Sequence, residues 1–193
     1  MPVIKVTLIE GYDDATRIRI AERLTDAVRS VIAAPLDGVT VAIEEVASAG
    51  YMRGRTSKVP GAPLPDPETL VRNFLTAMAR RDLEAARRFL DKDFTMTFPG
   101  GHRFTTLEAL VEWAGRRYRS VDKSYVGFDV VPGRDGVVVY CFGTLDGIWL
   151  DGTGFSGIRF IDRFVVCDGK LAEQTVWNDL GEVVGTRAHD AGG

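Results

Sequence analysis

The sequence has few residues that form cross-links or bind metals. It contains 2 cysteines and 2 histidines in 193 residues, and Cys141 and Cys167 do not form a CxxC pair. This excludes a disulfide framework and the common zinc-ligand spacings. Because cysteines without such a framework are typical of a reducing compartment, we expect a cytoplasmic protein without a metal site.

The sequence also lacks an excess of positive charge and long apolar runs. Its 24 basic and 27 acidic side chains give a formal net charge of -3, which argues against a nucleic acid or an anionic membrane as partner. No apolar run is long enough to span a bilayer, and the N-terminal residues lack the pattern of a signal peptide. There is no GxxxxGK[ST] phosphate loop and no GxSxG nucleophile motif. We therefore expect no cofactor.

A proline-rich segment divides the chain. Residues 52–67 hold four prolines and two glycines without apolar periodicity, which is typical of a linker. We predict an α+β protein with a β-α-β unit over residues 1–55, a linker over 56–65 and a second domain over 66–185. Residues 186–193 are predicted to form a flexible tail.

The first unit has the pattern of a strand, a helix and a strand. A strand at 3–9, apolar on both faces apart from Lys5 and Thr7, precedes a helix that ends near Ala33 and a second strand at 39–46. This order predicts a parallel pair with a right-handed crossover. The helix begins at Asp13 or Asp14, and its apolar stripe comprises Ile18, Ala21, Leu24, Val28, Val31 and Ile32. Because a unit of about 55 residues is small for a core of its own, we expect a homo-oligomer with any N-terminal site near a subunit interface.

The second unit begins with helices and ends with strands. A helix from Asp66-Pro67 to about Arg80 precedes a short helix from Asp82 to Leu90 and a strand at 94–98. The remaining predicted elements are a helix from Leu107 to Tyr118 and strands at 124–131, 137–145, 156–166 and 171–180. Turns at Pro132-Gly133 and Asp168-Gly169 indicate antiparallel hairpins. Helices followed by a long meander favour an α+β domain.

Pro2 stands directly after Met1 at the start of the first strand. Removal of Met1, which is usual before a small residue, would leave Pro2 with a free secondary amine. An α-amino group titrates near pKa ~8, and burial or nearby cations lower that value. Such an amine is a candidate general base at neutral pH. Alternatively, Pro2 only begins an edge strand, where a missing N–H is tolerated.

Several short segments of the first unit carry a family resemblance. They are PVIKVTLIEG at the N terminus, APL at 34–36, EEV at the end of the second strand, and then Tyr51. With these segments, residues 2–54 resemble the 4-oxalocrotonate tautomerase family. The resemblance implies a β-α-β subunit that assembles into trimers or hexamers, and a keto–enol tautomerisation with Pro2 as the base. It also places Tyr51 where that family has an aromatic site residue.

Two positions of this chain depart from that family. Tyr12 and Thr40 stand where its best-studied members have arginines, which bind substrate carboxylates through paired hydrogen bonds. A dicarboxylate dienol is therefore not the expected substrate. Tyr12 remains a candidate substrate contact, and Arg53 and Arg55 could supply the missing positive charge. Both arginines lie in a segment where solvated charges are common, and Arg17 is a further candidate.

The second unit carries a resemblance of its own. It contains the helix VRNFLTAMARRDLEAARRFL, the stretch DKDFTMTFPGG and the final strands IRFIDRFVVCDGKLAEQTVWNDL. With these segments, residues 66–185 resemble the nuclear transport factor 2-like superfamily, which includes SnoaL-like polyketide cyclases and ketosteroid isomerases. The resemblance implies a curved sheet and three helices around a conical pocket, often in a dimer. Phe74 and Phe98 stand where ketosteroid isomerases have a catalytic tyrosine and aspartate, so that activity is not expected.

Four residues of the second unit are candidates for the pocket. In strand 156–166, Asp162 alternates with apolar residues, so it is a candidate buried general acid or base. Alternatively, this face of the strand is the outer one, or Asp162 pairs with a neighbouring arginine. Trp177 and Tyr140 lie within strands and serve either the pocket or packing. His102 follows the Pro-Gly-Gly turn, either at the pocket mouth or in solvent.

These features favour an enzyme of the isomerase class. The leading hypothesis is a cofactor-independent tautomerase that uses the Pro2 amine on a small enolisable carbonyl compound, fused to a small-molecule pocket domain. In the alternative, the first unit is only an oligomerisation module and the SnoaL-like cone binds a ligand or acts as a cyclase. The expected assembly is a dimer, trimer or hexamer.

Overall fold

The computed structural model describes residues 1–183 of a chain that divides into two compact units. The first unit is Met1–Pro63 and the second begins at Leu64. The predicted tail at 186–193 lies outside the described residues. Within the described part of the chain, no helix is both long enough and apolar enough to cross a membrane.

The first unit is the predicted strand–helix–strand. It comprises β1 (Val3–Ile9), α1 (Asp14–Arg29) and β2 (Thr40–Val46). Asp13 caps the helix because its Oδ1 accepts a hydrogen bond of 2.8 Å from the Thr16 backbone N–H. Hydrogen bonding from Thr16, mainly from its side chain and then from its backbone N–H, lowers the pKa of Asp13. The two strands are parallel and pair from Val3↔Thr40 to Ile9↔Val46, which confirms the prediction.

The apolar side chains of this unit are only partly covered. Helix α1 ends at Arg29, so Val31 and Ile32 lie beyond it with exposed fractions of 84% and 50%. Ile18 is on the helix but is 58% exposed. These residues therefore do not belong to a covered stripe, contrary to the periodicity. None of residues 1–63 is fully buried, so this unit has no closed core within one chain.

A short hairpin interrupts the proline-rich segment. It pairs β3 (Met52–Arg53) with β4 (Thr56–Ser57), and its turn residues Gly54 and Arg55 both have positive φ, 58° and 66°. Two-residue turns of this kind match the twist of a hairpin. The sequence analysis missed it because a non-glycine residue at positive φ is uncommon.

As far as Asn178, the second unit contains three helices and a six-stranded sheet. The elements are α2 (Pro67–Ala79), α3 (Leu83–Arg87), β5 (Leu90–Phe98), β6 (His102–Phe104), α4 (Leu107–Gly115), β7 (Tyr118–Pro132), β8 (Val137–Trp149), β9 (Gly154–Cys167) and β10 (Lys170–Asn178). The strand order is β6-β5-β10-β9-β8-β7. Strands β7 to β10 form the predicted antiparallel meander, and β10 also pairs with β5 in parallel. The predicted α+β fold class is confirmed.

Three predicted boundaries between helices and strands were wrong. Helix α3 ends at Arg87, whereas the sequence suggested Leu90, and β5 starts at Leu90 rather than at 94. The Leu171 backbone N–H donates to the Phe89 carbonyl at 2.8 Å, so β10 draws this segment into the sheet. Helix α4 likewise ends at Gly115, and the following residues from Tyr118 already belong to β7.

Strand β7 bends through a bulge between Tyr125 and Gly127. A bulge inserts one residue, so the inward side changes from Lys123 and Tyr125 to Phe128. The neighbouring strand approaches closely here, because a Cβ on Gly143 would lie 1.9 Å from the Ser124 carbonyl oxygen. Only glycine fits at that position.

The core of the second unit lies between α2 and the inner face of the sheet. Phe74 of α2 is 1% exposed and makes edge-to-face contacts with Phe94 and Phe164, with ring centroids 6.1 and 5.9 Å apart. Such aromatic pairs stabilise a core beyond the effect of the buried area. This packing fixes α2 over the sheet and leaves a cavity beside it.

Candidate functional site

The second unit encloses a cavity of about 500 Å³. That volume is in the range of small-molecule sites. Its apolar wall includes Phe74, Leu75, Met78, Phe98, Leu110, Val111, Val121 and Phe128, which come from α2, β5, α4 and β7. A smaller space of about 50 Å³ shares Phe98, Tyr118, Val121 and Lys123 with it. The wall is suited to a flat, mainly apolar molecule.

Three polar side chains form a cluster at this cavity. Lys123 and Gln174 line it, and both bond to Oδ2 of Asp162, which lies behind them and is fully buried. Gln174 Nε2 donates at 3.2 Å, and the Lys123 ammonium forms an ion pair with the same oxygen. Lys123 Nζ also lies 4.4 Å from the centroid of the Phe160 ring. The cluster holds one cation at the wall of an apolar space.

Asp162 is buried, which is one of the alternatives that the alternation of β9 left open. Its neighbours on the inner face are Ile158, Phe160, Phe164 and Val166, all buried. Its partner is Lys123 from β7, whereas the sequence analysis considered an arginine. The other carboxylate oxygen, Oδ1, is buried and has no hydrogen-bond partner in the described part of the chain. A buried oxygen without a hydrogen bond lowers the stability of the folded state. The Asp162 carboxylate is therefore only partly compensated by its neighbours.

Two neutral groups lie close to the cluster. Burial raises the pKa of the Cys141 thiol to about 12, with a smaller contribution from the charge of Asp162. Burial also raises the pKa of Tyr125 well above its usual range, with further contributions from Cys141 and Asp162. Both groups are therefore protonated at neutral pH, and the Tyr125 hydroxyl at the cavity wall remains a hydrogen-bond donor.

The cavity wall carries mainly positive charge. Its charged residues are Arg72, Arg80, Arg81, Lys123 and Asp122. The Arg72 guanidinium lies 3.7 Å from the centroid of the Phe128 ring and forms a 2.8 Å ion pair with Glu68. The three arginines are exposed, so they sit where a ligand would enter.

Three predicted pocket residues lie elsewhere. Trp177 is 51% exposed, because it points to the opposite side of β10 from the buried residues Gln174 and Val176. Tyr140 alternates in the same way with the buried neighbours on β8. His102 is exposed, and its ring packs 5.2 Å from that of Trp113. None of the three lines the cavity of about 500 Å³.

In the first unit, the predicted residues are at different ends of the sheet. Pro2 is partly buried, and its carbonyl accepts a 3.1 Å hydrogen bond from the Thr40 N–H, which fixes it at the start of the parallel pair. Tyr12 follows the end of β1, and Tyr51 follows the end of β2. A seven-residue strand spans roughly 20 Å. A single chain therefore does not join Pro2 to Tyr12.

The arginines of this unit are either exposed or engaged. Arg53 and Arg55 are exposed on the β3–β4 hairpin. Arg17 donates to the Tyr12 carbonyl at 3.0 Å and forms ion pairs with Asp14 and Glu45. The hydrogen bond to Glu45 makes the largest contribution to raising the pKa of Arg17, and the hydrogen bond to Asp14 makes the next largest. Arg17 thus stabilises the local structure.

Metal sites and dinucleotide sites each have a recognisable arrangement of residues. Among the described residues, no three His, Cys, Asp or Glu side chains come together as a metal site. Residues 152–157 fit the pattern GxGxxG, but they lie at the turn between the antiparallel strands β8 and β9 and at the start of β9. A dinucleotide fingerprint requires a strand followed by a helix N terminus.

The sequence analysis missed Lys123 and Gln174. Lys123 lay just outside the predicted strand at 124–131, although the alternation Val121, Lys123, Tyr125 already puts it on the inward side. Gln174 alternates with Val176 on the buried face of β10. A polar residue that alternates with apolar residues in a strand would have indicated both side chains as candidates for the cavity wall.

The second unit therefore belongs to the class of α+β domains with a mainly apolar cavity. Within that class, the family model of the SnoaL-like domain matches residues 71–174, more than half of the chain, and the chain belongs to this family. A second family model, described as tautomerase enzyme, matches residues 2–59. The two predicted resemblances are confirmed.

Solved structures share the fold of the second unit. A nuclear transport factor 2-like protein of unknown function from Burkholderia pseudomallei is 16% identical, with 61% of this chain and 93% of that chain covered and a TM-score of 0.53. TerC co-crystallised with polyporic acid is 17% identical, with 57% and 88% covered and a TM-score of 0.50. A Burkholderia thailandensis nuclear transport factor 2-like protein is 17% identical, with 60% and 92% covered and a TM-score of 0.50. No curated protein matches the chain.

Proposed function

We propose that this protein is a cofactor-independent tautomerase in which the Pro2 amine moves a proton between carbon and oxygen of a small enolisable carbonyl compound. The observation that carries the proposal is the tautomerase family match, which begins at Pro2 and covers the whole β-α-β unit. The proposal requires that Met1 is removed. The SnoaL-like cavity then binds a small molecule of the same chemical class.

The anchoring of Pro2 supports this role. Its carbonyl is bonded to the Thr40 N–H at 3.1 Å, so the residue is held at the end of a two-stranded parallel sheet. A fixed amine avoids the entropic cost of orienting a flexible base. If it is desolvated by a neighbouring subunit, its neutral form is favoured, which a general base needs.

The site is proposed to be completed between subunits. Pro2 and the candidate contacts Tyr12 and Tyr51 lie at different ends of the β1–β2 pair. A second copy that packs against the partly covered apolar residues of the first unit could bring Tyr12, Tyr51 or Arg53 towards Pro2. We therefore propose a homo-oligomer of two, three or six chains, in which Arg55 is a weaker candidate contact.

The cavity supports a small-molecule role for the second unit. It has a volume of about 500 Å³ and a mainly apolar wall. TerC, which shares this fold, was co-crystallised with polyporic acid. We propose an aromatic or polyketide-like ligand for the cavity, without assigning it a catalytic step.

Ketonisation of phenylenolpyruvate tests the tautomerase proposal. The wild-type chain should accelerate the reaction. Pro2→Ala replaces the rigid secondary amine with a freely rotating primary amine and should lower kcat/KM about 100-fold, the low end of what a well-placed general base contributes. Pro132→Ala, at the exposed end of β7, is the matched control and should retain the wild-type rate. Equal inactivity of wild type and Pro2→Ala on a panel of enols would refute the proposal.

The mass of the intact protein provides a second test. Loss of Met1 should be complete, because the reaction needs the free Pro2 nitrogen. Retained Met1 would leave that nitrogen in a peptide bond without basicity. That result would reduce the first unit to an assembly module.

A further inference from the structure

The polar cluster of the cavity consists of Lys123 and Gln174 on its wall and Asp162 behind them. Lys123 is 25% exposed at its side chain, and Asp162 is completely buried. A buried charge is rarely retained without a partner or a role. The proposed tautomerase reaction at Pro2 uses none of these three residues.

The cluster leaves hydrogen-bonding capacity on the side of the cavity. An ammonium group has three N–H donors, and the contact with Asp162 Oδ2 occupies one. Gln174 donates to the same Asp162 oxygen. This carboxylate therefore binds both side chains and fixes the position of the Lys123 ammonium group. The remaining ammonium donors of Lys123 are available to a molecule in the cavity that it lines.

The charges at the cavity favour an anion. Its wall has four cationic residues, Arg72, Arg80, Arg81 and Lys123, and the acidic residue Asp122. Glu68 and Asp162 pair with Arg72 and Lys123, so the formal balance around the cavity is one positive charge. The chain as a whole carries a net charge of -3, so this cationic wall runs against the overall charge. Cations around a low-dielectric opening attract an anionic ligand and orient its charged end.

The apolar part of the wall restricts the rest of the ligand. Phe74, Phe98 and Phe128 face the cavity, and aromatic walls favour flat rings. A volume of about 500 Å³ is sufficient for a molecule with a few fused or linked rings. The ligand should therefore combine an aromatic body with one acidic oxygen.

We infer that the cavity of the second unit selects an aromatic acid or enolate, and that Lys123, held by Asp162, binds its anionic oxygen. This inference rests on the part of the proposed function that makes the cavity a small-molecule site. It does not require Pro2. Tyr125, which lines the same cavity, is the proposed second donor to that oxygen.

Direct binding of two matched probes tests the inference. The probes are 2-naphthoate, which carries a carboxylate, and 2-naphthamide, its neutral analogue of nearly equal shape. Isothermal titration of the full chain should give a Kd for the naphthoate about 10-fold lower than for the amide, as a charge-assisted hydrogen bond provides. Lys123→Met should abolish this preference. Lys92→Met should retain it, because Lys92 is an exposed residue that pairs with Asp93 at the surface.

A second variant, Asp162→Asn, tests the proposed role of Lys123 even if Lys123→Met does not fold. Asp162→Asn has nearly the same shape but removes the negative charge that neutralises Lys123. The preference for naphthoate should therefore exceed that of the wild type. Circular dichroism of each variant checks that it is folded.

Three outcomes would overturn the inference. They are a wild type that binds the amide as tightly as the acid or binds neither, a folded Lys123→Met that keeps the preference, and a folded Asp162→Asn that does not increase it. Because binding is measured without turnover, the result is separate from the phenylenolpyruvate assay. An inactive chain with the naphthoate preference would refute the tautomerase proposal alone, and an active chain without the preference would refute this inference alone.

Discussion

Cys141 and Asp162 are partners across β8 and β9, and both are completely buried. A thiol at this position is a small apolar side chain as long as it keeps its proton. Burial, together with the carboxylate of Asp162, raises the pKa of Cys141 from 9.0 to about 12. The ionisation of this residue is therefore linked to unfolding.

The sign of this linkage gives a prediction for alkaline pH. Because the folded pKa is raised, the unfolded chain loses the proton first, so the stabilising contribution is complete below pH 9.0 and is lost as pH rises towards about 12. Cys141→Val has a similar volume and does not titrate. Between about pH 8 and 10.5, the free energy of unfolding should fall more steeply for wild type than for Cys141→Val. Urea unfolding at several pH values measures this difference in the decline of the free energy of unfolding.

The half-exposed cysteine supplies the control. Cys167 donates its thiol proton to the Asp135 carbonyl at 3.2 Å near the surface. Cys167→Val should keep the steep alkaline decline of the wild type. If Cys141→Val and wild type declined in parallel, the thiol would not be the group responsible.

The residue scale also shows what a sequence can predict. The alternation along β9 placed Asp162 on the same face as apolar residues, because alternation along a strand is a local property, but it left open whether that face is the inner one. Its partner Lys123 comes from β7, with β8 between the two strands. That contact depends on the order of strands and on the bulge near Tyr125, which the local pattern does not contain.

At the scale of elements, the cap of α2 has a direct consequence for the cavity. Asp66 Oδ2 accepts a 2.9 Å hydrogen bond from the Thr69 N–H, and Pro67 occupies the first turn. These contacts fix the start of the helix whose later turns supply Phe74, Leu75 and Met78 to the wall. The cap was readable in the sequence because capping is local.

Replacement of this cap should destabilise the chain measurably. Asp66→Ala removes the acceptor of the Thr69 N–H and should lower the free energy of unfolding by about 1 kcal/mol. Asp66→Asn keeps an acceptor and is the matched control. Its free energy of unfolding should differ from that of the wild type by at most about 0.3 kcal/mol. Thermal and urea unfolding give both values. Equal stability of Asp66→Ala and wild type would show that the cap does not hold α2.

Element ends that depend on distant pairing were not predicted. The local pattern continued α3 to Leu90, but hydrogen bonding of Phe89 to Leu171 makes this region the start of β5. In the same way, β7 begins at Tyr118 because it pairs with Trp149 at the far end of β8. Such boundaries depend on contacts between segments that are far apart in the chain.

At the scale of the whole molecule, the two units differ in how they are stabilised. The second has a closed core, with residues such as Val71, Met96 and Phe164 at 0% exposure. The first has no fully buried residue, and Val3 and Ile18 are 60% and 58% exposed. A β-α-β unit of this size is small for a closed core with one helix, which is why a partner copy is proposed for the first unit.

The state of assembly is therefore the prediction that connects the fold of the first unit with its chemistry. Sedimentation velocity of the full chain should show a species of at least twice the chain mass. Ile18→Asp places a charge on an exposed apolar position of α1 and should shift the chain to a smaller species, since an unpaired buried charge destabilises an interface. Val126→Asp, on a residue of the second unit that is 78% exposed, is the control and should sediment as wild type.

The same variants decide whether assembly completes the site at Pro2. Because Pro2 and Tyr12 lie at different ends of one sheet, a dissociated chain lacks the groups that a neighbour would bring. Ile18→Asp should then lose phenylenolpyruvate ketonisation in proportion to the loss of the larger species, and activity should return as the protein concentration rises. A fully active, dissociated Ile18→Asp would show that one chain is sufficient for catalysis, and the role of the neighbouring subunit would have to be abandoned.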